Sequence, residues 1–214
     1  MDPAKKFPCF SRLFGVSNSG KVPLYLTLLR PGAEASKAVD RIRDALNSSG
    51  ALTEIVALLQ DVNWRAQLVG AVALLVGERK PELLKALWDA ADQGSWVSPQ
   101  LAAVASMVDS EFEEHARRRL EARCPINSSR LVGLDWAHRH FAAGPESVST
   151  HSAKLLSALV ALTQVRLGDV DWLKQLRKAD DVQGMLRTDI DNGGAIAEAW
   201  LSAMTTLADV APAD

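Results

Sequence analysis

Three groups of residues in this chain have the types and spacing to do chemistry. Gly15-Val16-Ser17-Asn18-Ser19-Gly20-Lys21 matches G-x-x-x-x-G-K, a spacing in which glycine amides face phosphates and the lysine adds charge. Val22 stands where a Ser or Thr would hold Mg²⁺, Pro23 follows at once, and no strand precedes the run. The segment therefore reads as a Gly/Ser hinge. Asp135, His138 and His140 form one candidate metal group, and Glu111, Glu114 and His115 another. A metal needs three or four converging ligands. Asp135 and His138 lie one helical turn apart while His140 faces elsewhere, and the second group has no complete motif. No metal or cofactor is expected. Asp135 and His138 also interrupt the Leu131, Leu134, Phe141 stripe, which a buried Asp–His hydrogen bond would explain. Cys9 and Cys124 form no C-x-x-C and lack a nucleophile signature, and no G-x-S-x-G is present. These absences weigh against an enzyme.

The elements that must position such residues are helices. The chain has 214 residues, 48% hydrophobic, which is enough for a real core. Residues 1–22 carry Lys5, Lys6, Arg12 and Lys21 against Asp2 alone. They read as a loosely ordered basic arm whose Phe7, Phe10 and Phe14 are available for docking. Residues 23–30 form a short helix or a strand. Helices are expected over 34–47, 51–60, 63–77, a stretch opened by Pro81 and closed by Gly94, a stretch opened by Ser98-Pro99, and 110–123. In the last of these Ser110 and Glu113 have the spacing of a capping box. Further helices are expected over 129–142, 151–167, 170–178, 181–190 and 195–210. The helix at 151–167 is apolar nearly all round (Leu155, Leu156, Leu159, Val160, Leu162, Val165), so it should be buried. The last one presents Ile196, Ala199, Trp200, Ala203, Met204 and Leu207 on one face. No strand pair appears, so the class is all-α. Residues 23–214 form one helical domain, with 146–214 either continuing it or folding back as a cap.

Alternate helix centres recur about every 30–33 residues, a period of helical-pair arrays. Asp61-Val62-Asn63-Trp64-Arg65-Ala66-Gln67-Leu68 and Asp169-Val170-Asp171-Trp172-Leu173-Lys174-Gln175-Leu176 share five of eight residues. Ser95-Trp96 with Gln100-Leu101 is a looser third copy. Asp61, Trp64-Arg65 and Ala71-Val72 resemble the HEAT-like α-helical repeats, mainly over residues 33–145; the second copy lacks the Arg and the third lacks both Asp and Arg. The resemblance implies a right-handed stack of antiparallel helix pairs, an α-solenoid. The alternative is a compact, non-repeating helical bundle.

Charge and surface set the functional expectations. A net charge of −2 excludes the basic excess of a general nucleic-acid binder. The absence of a long apolar run or targeting signal, with two unpaired cysteines, leads to an expectation of a cytoplasmic protein with no membrane partner. Residues 169–214 hold nine acids against four bases. Among them Asp169, Asp171, Asp180, Asp181, Asp189 and Asp191 are the candidate contacts for a partner protein with a basic surface. The six tryptophans sit on or beside helices; most should be core, and any exposed one would be an interface anchor. The leading expectation is a non-catalytic protein-binding module acting through a concave or acidic face, in its sharper form an inhibitor or immunity-type protein. HEAT-like DNA glycosylases, which use a concave basic surface with Trp, Arg and Asp, are the enzymes this resemblance implies. Trp64, Arg65 and Asp135 would take those roles, but the near-neutral chain argues against them. The third reading is an assembly scaffold tethered by residues 1–22.

Overall fold

The structure, a computed structural model, describes residues 2–15, 22–126 and 146–208. Asp135, His138, His140, the expected helix over 129–142 and most of the Gly15–Lys21 run lie outside them. The described residues contain helices and turns and no strand. Two short helices, α1 (Pro3–Lys6) and α2 (Ser11–Phe14), lead to a 3-10 turn at Leu24–Leu28. There follow α3 (Ala35–Leu46), α4 (Ala51–Leu59), α5 (Trp64–Val76), α6 (Pro81–Asp92), α7 (Ser98–Val108) and α8 (Phe112–Glu121). The C-terminal part holds α9 (Glu146–Leu167), α10 (Asp171–Lys178), α11 (Asp180–Thr188) and α12 (Gly193–Ala208).

The boundaries follow local chemistry. Asn63 caps α5 through its side-chain oxygen on the Arg65 amide, 3.1 Å away. Pro81 opens α6, and Gly94 ends the turn after it at φ 78°, a left-handed value that glycine adopts without strain. Two expected caps differ. Ser98 is already helical, its hydroxyl is buried without a partner, and Ser95 instead accepts the Val97 amide at 3.3 Å. At the start of α8 it is Asp109, rather than Ser110, that accepts a helix-start amide, from Glu111 at 2.9 Å.

Packing runs in two layers. Helix α5 lies between α3 and α7, while α4 packs on α5 and α6, and α6 on α7. Each hairpin thus stacks on the next. Helix α7 is buried along its whole length because α5, α6, α9 and α12 surround it. The C-terminal helices do not extend the row. Helix α12 packs on α9 and α7 and reaches α3, where Arg43 donates to the Ala208 carbonyl at 2.9 Å, and the 3-10 turn, where Trp200 Nε1 donates to Leu28 O at 2.8 Å. Residues 193–208 therefore fold back onto α3 and the turn before it. The buried face of α12 is Ala197, Trp200, Met204 and Ala208, with Ala199 exposed. On α9 the expected core holds except at Val165, which is exposed.

The N-terminal segment departs most from expectation. Phe7, Phe10, Leu13 and Phe14 are all buried in the main core, so residues 2–15 form a docked strap where a loose arm was expected. The reason is its apolar load. Burying four such side chains stabilises by about 6–12 kcal/mol, which offsets a large part of the cost of ordering a short segment.

Candidate functional site

The turns that open α5 and α7 build the most distinctive surface. Asp61 Oδ1 accepts the Asn63 amide at 2.8 Å, which fixes the turn and puts Trp64 at the first helical position. Two residues before α7 stands Trp96. Because α5 and α7 are neighbours in one layer, the two indoles meet, with centroids 5.1 Å apart. Tyr25, on the 3-10 turn preceding α3, packs edge-on to Trp64 at 6.0 Å. The strap extends the series through Phe14 on Tyr25 at 5.9 Å and Phe7 on Phe14 at 6.1 Å. Five rings thus run from the strap to Trp96. The first four are buried or half-buried, and Trp96 is 45% exposed.

Cations sit on this row. The Arg65 guanidinium lies 4.7 Å from the Trp64 ring centre and its Nε donates to the Tyr25 hydroxyl at 2.9 Å. Lys154 Nζ lies 5.1 Å from the Trp96 ring and donates to Asp191 Oδ2 at 2.9 Å. Lys154 is only 3% exposed, so the carboxylate and the ring face compensate a buried ammonium. His151, one turn earlier on α9, has a buried Nδ1 without a partner. Burial, then the neighbouring Lys154 charge, push its imidazole toward the neutral form. Val62 (55% exposed) precedes Trp64 by two residues, and Ile190 (85% exposed) precedes Asp191. Three of the large apolar side chains left exposed therefore belong to the turns that frame this row.

A second cluster lies where α6, α7 and α8 meet. Asp109, 2% exposed, accepts from Trp88 Nε1 at 2.7 Å, pairs with His115 Nδ1 at 2.7 Å and takes the Glu111 amide. Burial alone would raise its carboxyl. The hydrogen bonds from His115, Trp88 and the Glu111 amide outweigh that and hold it below the usual carboxylate range. Arg119 lies 4.0 Å over Trp88, makes two 2.8 Å bonds to Asp92 and donates to His115 O. His115 Nε2 faces Glu111 at 4.0 Å. A histidine oriented by a carboxylate has the form of a general base. Here, however, the carboxylate also ties three elements together, which is the work of an interior brace.

The six acids proposed for partner binding have separate surroundings. Asp169 accepts from Gln164 at 2.6 Å, and Asp181 is held by Arg123 Nε at 2.6 Å. Asp189 Oδ2 accepts the Gly193 amide at 2.6 Å, and Asp191 binds Lys154. Asp171 and Asp180 are exposed in the first turns of α10 and α11, where acids favour the helix dipole. Of the six, Asp191 is joined to the aromatic row, through Lys154. Of the second metal group, His115 pairs with Asp109 rather than with Glu114. No group of three or more His, Cys, Asp or Glu that could hold a metal occurs among the described residues. Among them, too, no helix is long and apolar enough to cross a membrane.

No protein-family model, curated protein or solved structure matches the chain.

Proposed function

We propose that this protein is a non-catalytic binding module that recognises another protein through the turn-end face centred on Trp96. One observation carries the reading: a half-exposed tryptophan packed between Trp64 and the Lys154 ammonium, with Tyr25 and Arg65 backing Trp64. Trp, Tyr and Arg dominate binding hot spots, and an anchor already held in place loses little side-chain freedom on association. Val62, two residues before Trp64, and Ile190, next to Asp191, are exposed apolar side chains on adjoining turns. Asp191, which holds Lys154 against Trp96, suits a partner with a basic surface, and Asp171 and Asp180 are exposed acids elsewhere in the C-terminal part. An inhibitor or immunity-type role is the sharper form of this reading. A HEAT-like origin accounts for the hairpin-on-hairpin stacking of α3 to α7, and the fold-back of α12 makes the C-terminal third its cap. Two free thiols, Cys9 and Cys124, suit a reducing compartment.

The test is co-purification from native lysate at low and high salt, with wild type beside Trp96→Ala. Trp96 is outside the core, so helicity should stay unchanged. The expected result is a protein held by wild type and lost from the variant. Identical retention by both, or recovery of nucleic acid alone, would overturn the reading.

A further inference from the structure

We infer that the N-terminal strap, residues 2–15, controls how Trp96 is presented, so that docking of the strap and the binding competence of the Trp96 face are coupled. This rests on the reading of that face given above.

Two independent routes join the strap to Trp96. The first is the ring series Phe7, Phe14, Tyr25, Trp64, Trp96, with successive centroids 6.1, 5.9, 6.0 and 5.1 Å apart. Phe14 bears on Tyr25, and Tyr25 also fixes Arg65 through its hydroxyl. The second route is polar. Lys6 Nζ bonds Asp61 Oδ2 at 2.5 Å. The Asp61 carbonyl accepts Gln67 Nε2 at 2.8 Å. Gln67 Oε1 accepts the Ser95 hydroxyl, and Ser95 Oγ accepts the Val97 amide. Ser95 and Val97 flank Trp96. One route thus ends on the indole ring and the other on the backbone that carries it.

The strap itself is held by few polar ties. Besides Lys6–Asp61, the Glu54 carboxylate accepts the Cys9 amide at 3.0 and 3.2 Å. Its two helices have four residues each, too short to hold their shape without tertiary contacts. Docking is therefore one cooperative event, made by four apolar side chains and two ion-assisted contacts. With the strap seated, Tyr25 and Trp64 are backed from behind and Trp96 stands in one orientation. When it lifts, Tyr25 loses Phe14 and Asp61 loses Lys6, and both supports of Trp96 relax together. Lys6, Phe14 and Asp61 are positioning residues, acting on the face through others.

The experiment follows the indole N–H signals of the ¹⁵N-labelled full chain, with the Trp96 signal assigned by its loss in Trp96→Phe. The variant is Lys6→Met with Glu54→Ala, which removes these two polar ties and leaves every strap phenylalanine in place. Exchange protection of the Leu13 amide, which donates to the Phe10 carbonyl within the strap at 3.0 Å, reports undocking. The expected result is loss of that protection together with displacement of the Trp96 and Trp64 signals. The Trp88 and Trp172 signals, on α6 and α10, should stay in place and show that the remaining fold is intact. If the strap stays docked in this variant, Phe10→Ala with Phe14→Ala replaces it and is read in the same way. A Trp96 signal that stays put while the strap lifts overturns the inference, as does uniform displacement of all the indoles. No partner is needed, so a failed co-purification and a failed coupling are separate results.

Discussion

Removing the Asp109 carboxylate should cost more than removing any surface acid of this chain, by an amount its contacts set. Trp88 is 4% exposed, and its indole N–H has Asp109 Oδ2 as its acceptor at 2.7 Å. In Asp109→Ala that donor is left buried and unpaired, at about 1–3 kcal/mol. The Glu111 amide loses its side-chain acceptor, a capping loss of about 1 kcal/mol. Losing the His115 bond adds a net of about 0.5–1.5 kcal/mol. These contributions share one carboxylate and overlap, so the expected total is about 3 kcal/mol. Urea unfolding followed by circular dichroism measures it. Adding Trp88→Phe to Asp109→Ala removes the orphaned donor, so the double variant should fall short of the sum of the singles by about 1–2 kcal/mol. The pH dependence has a definite sign. The folded carboxyl is held below its ordinary value, so its stabilisation is complete above the unfolded pKa of about 4 and fades as pH falls through the folded value. The stability gap between wild type and Asp109→Asn should therefore narrow below about pH 4. A loss under about 0.5 kcal/mol for Asp109→Ala, or a gap that widens in acid, would refute the brace.

Three further outcomes follow from packing and burial. A Cβ on Gly193 would come within 2.4 Å of the Lys154 carbonyl oxygen, a backbone atom that cannot swing away; Gly193→Ala should cost at least about 1–3 kcal/mol in urea unfolding and loosen α12 from α9. Phe10 is 1% exposed, so Phe10→Ala should lower stability by about 3–5 kcal/mol, and deleting residues 1–15 should lower it further; an unchanged unfolding midpoint after the deletion is what a mere tether would give. Burial, with Asp92 adding to it, pushes the Cys124 thiol up to about 12, and the hydrogen bond to Glu54 raises that of Cys9. Both should react slowly with a disulfide reagent at neutral pH, Cys9 first and Cys124 only on unfolding.

Helix existence was legible because two local signals agreed. Apolar stripes set the bodies, and Pro81 and Gly94 marked ends within a residue or two. Asp61–Leu68 and Ser95–Leu101, which read alike in sequence, open neighbouring helices of one layer, so Trp64 and Trp96 fall beside each other. Two things were not legible. Residues 2–15 have the charge and glycine neighbourhood of a loose terminus, and only their phenylalanines show that they dock. The fold-back of α12 depends on which helix covers α7. That choice is made by contacts such as Trp200 with Leu28, 172 positions apart in the sequence, and no local pattern encodes it.

The acidic C-terminal third shows how the fold distributes charge that composition adds together. Six aspartates within a short stretch look like one surface, yet each answers a local demand. Asp171 and Asp180 sit at helix starts, Asp169 accepts from Gln164, Asp189 takes an amide at the start of α12, Asp181 pairs with Arg123, and Asp191 neutralises a buried lysine. Composition adds these charges together, whereas the fold distributes them. Trp96 is the opposite case. In sequence it is one of six similar tryptophans, each beside a helix. Its exposure comes from sitting two residues before α7 begins, where the turn turns the ring outward, while Trp88 and Trp200, inside α6 and α12, are buried. Asp191 belongs to the face for a reason a charge count does not contain. It holds Lys154 against Trp96, so its value to binding would lie in orienting the anchor as well as in meeting a basic partner. Asp191→Asn should then weaken a partner even at high salt, where screening removes long-range attraction. Asp180→Asn should matter only at low salt, and equal salt dependence for the two variants would return the acids to a single electrostatic surface.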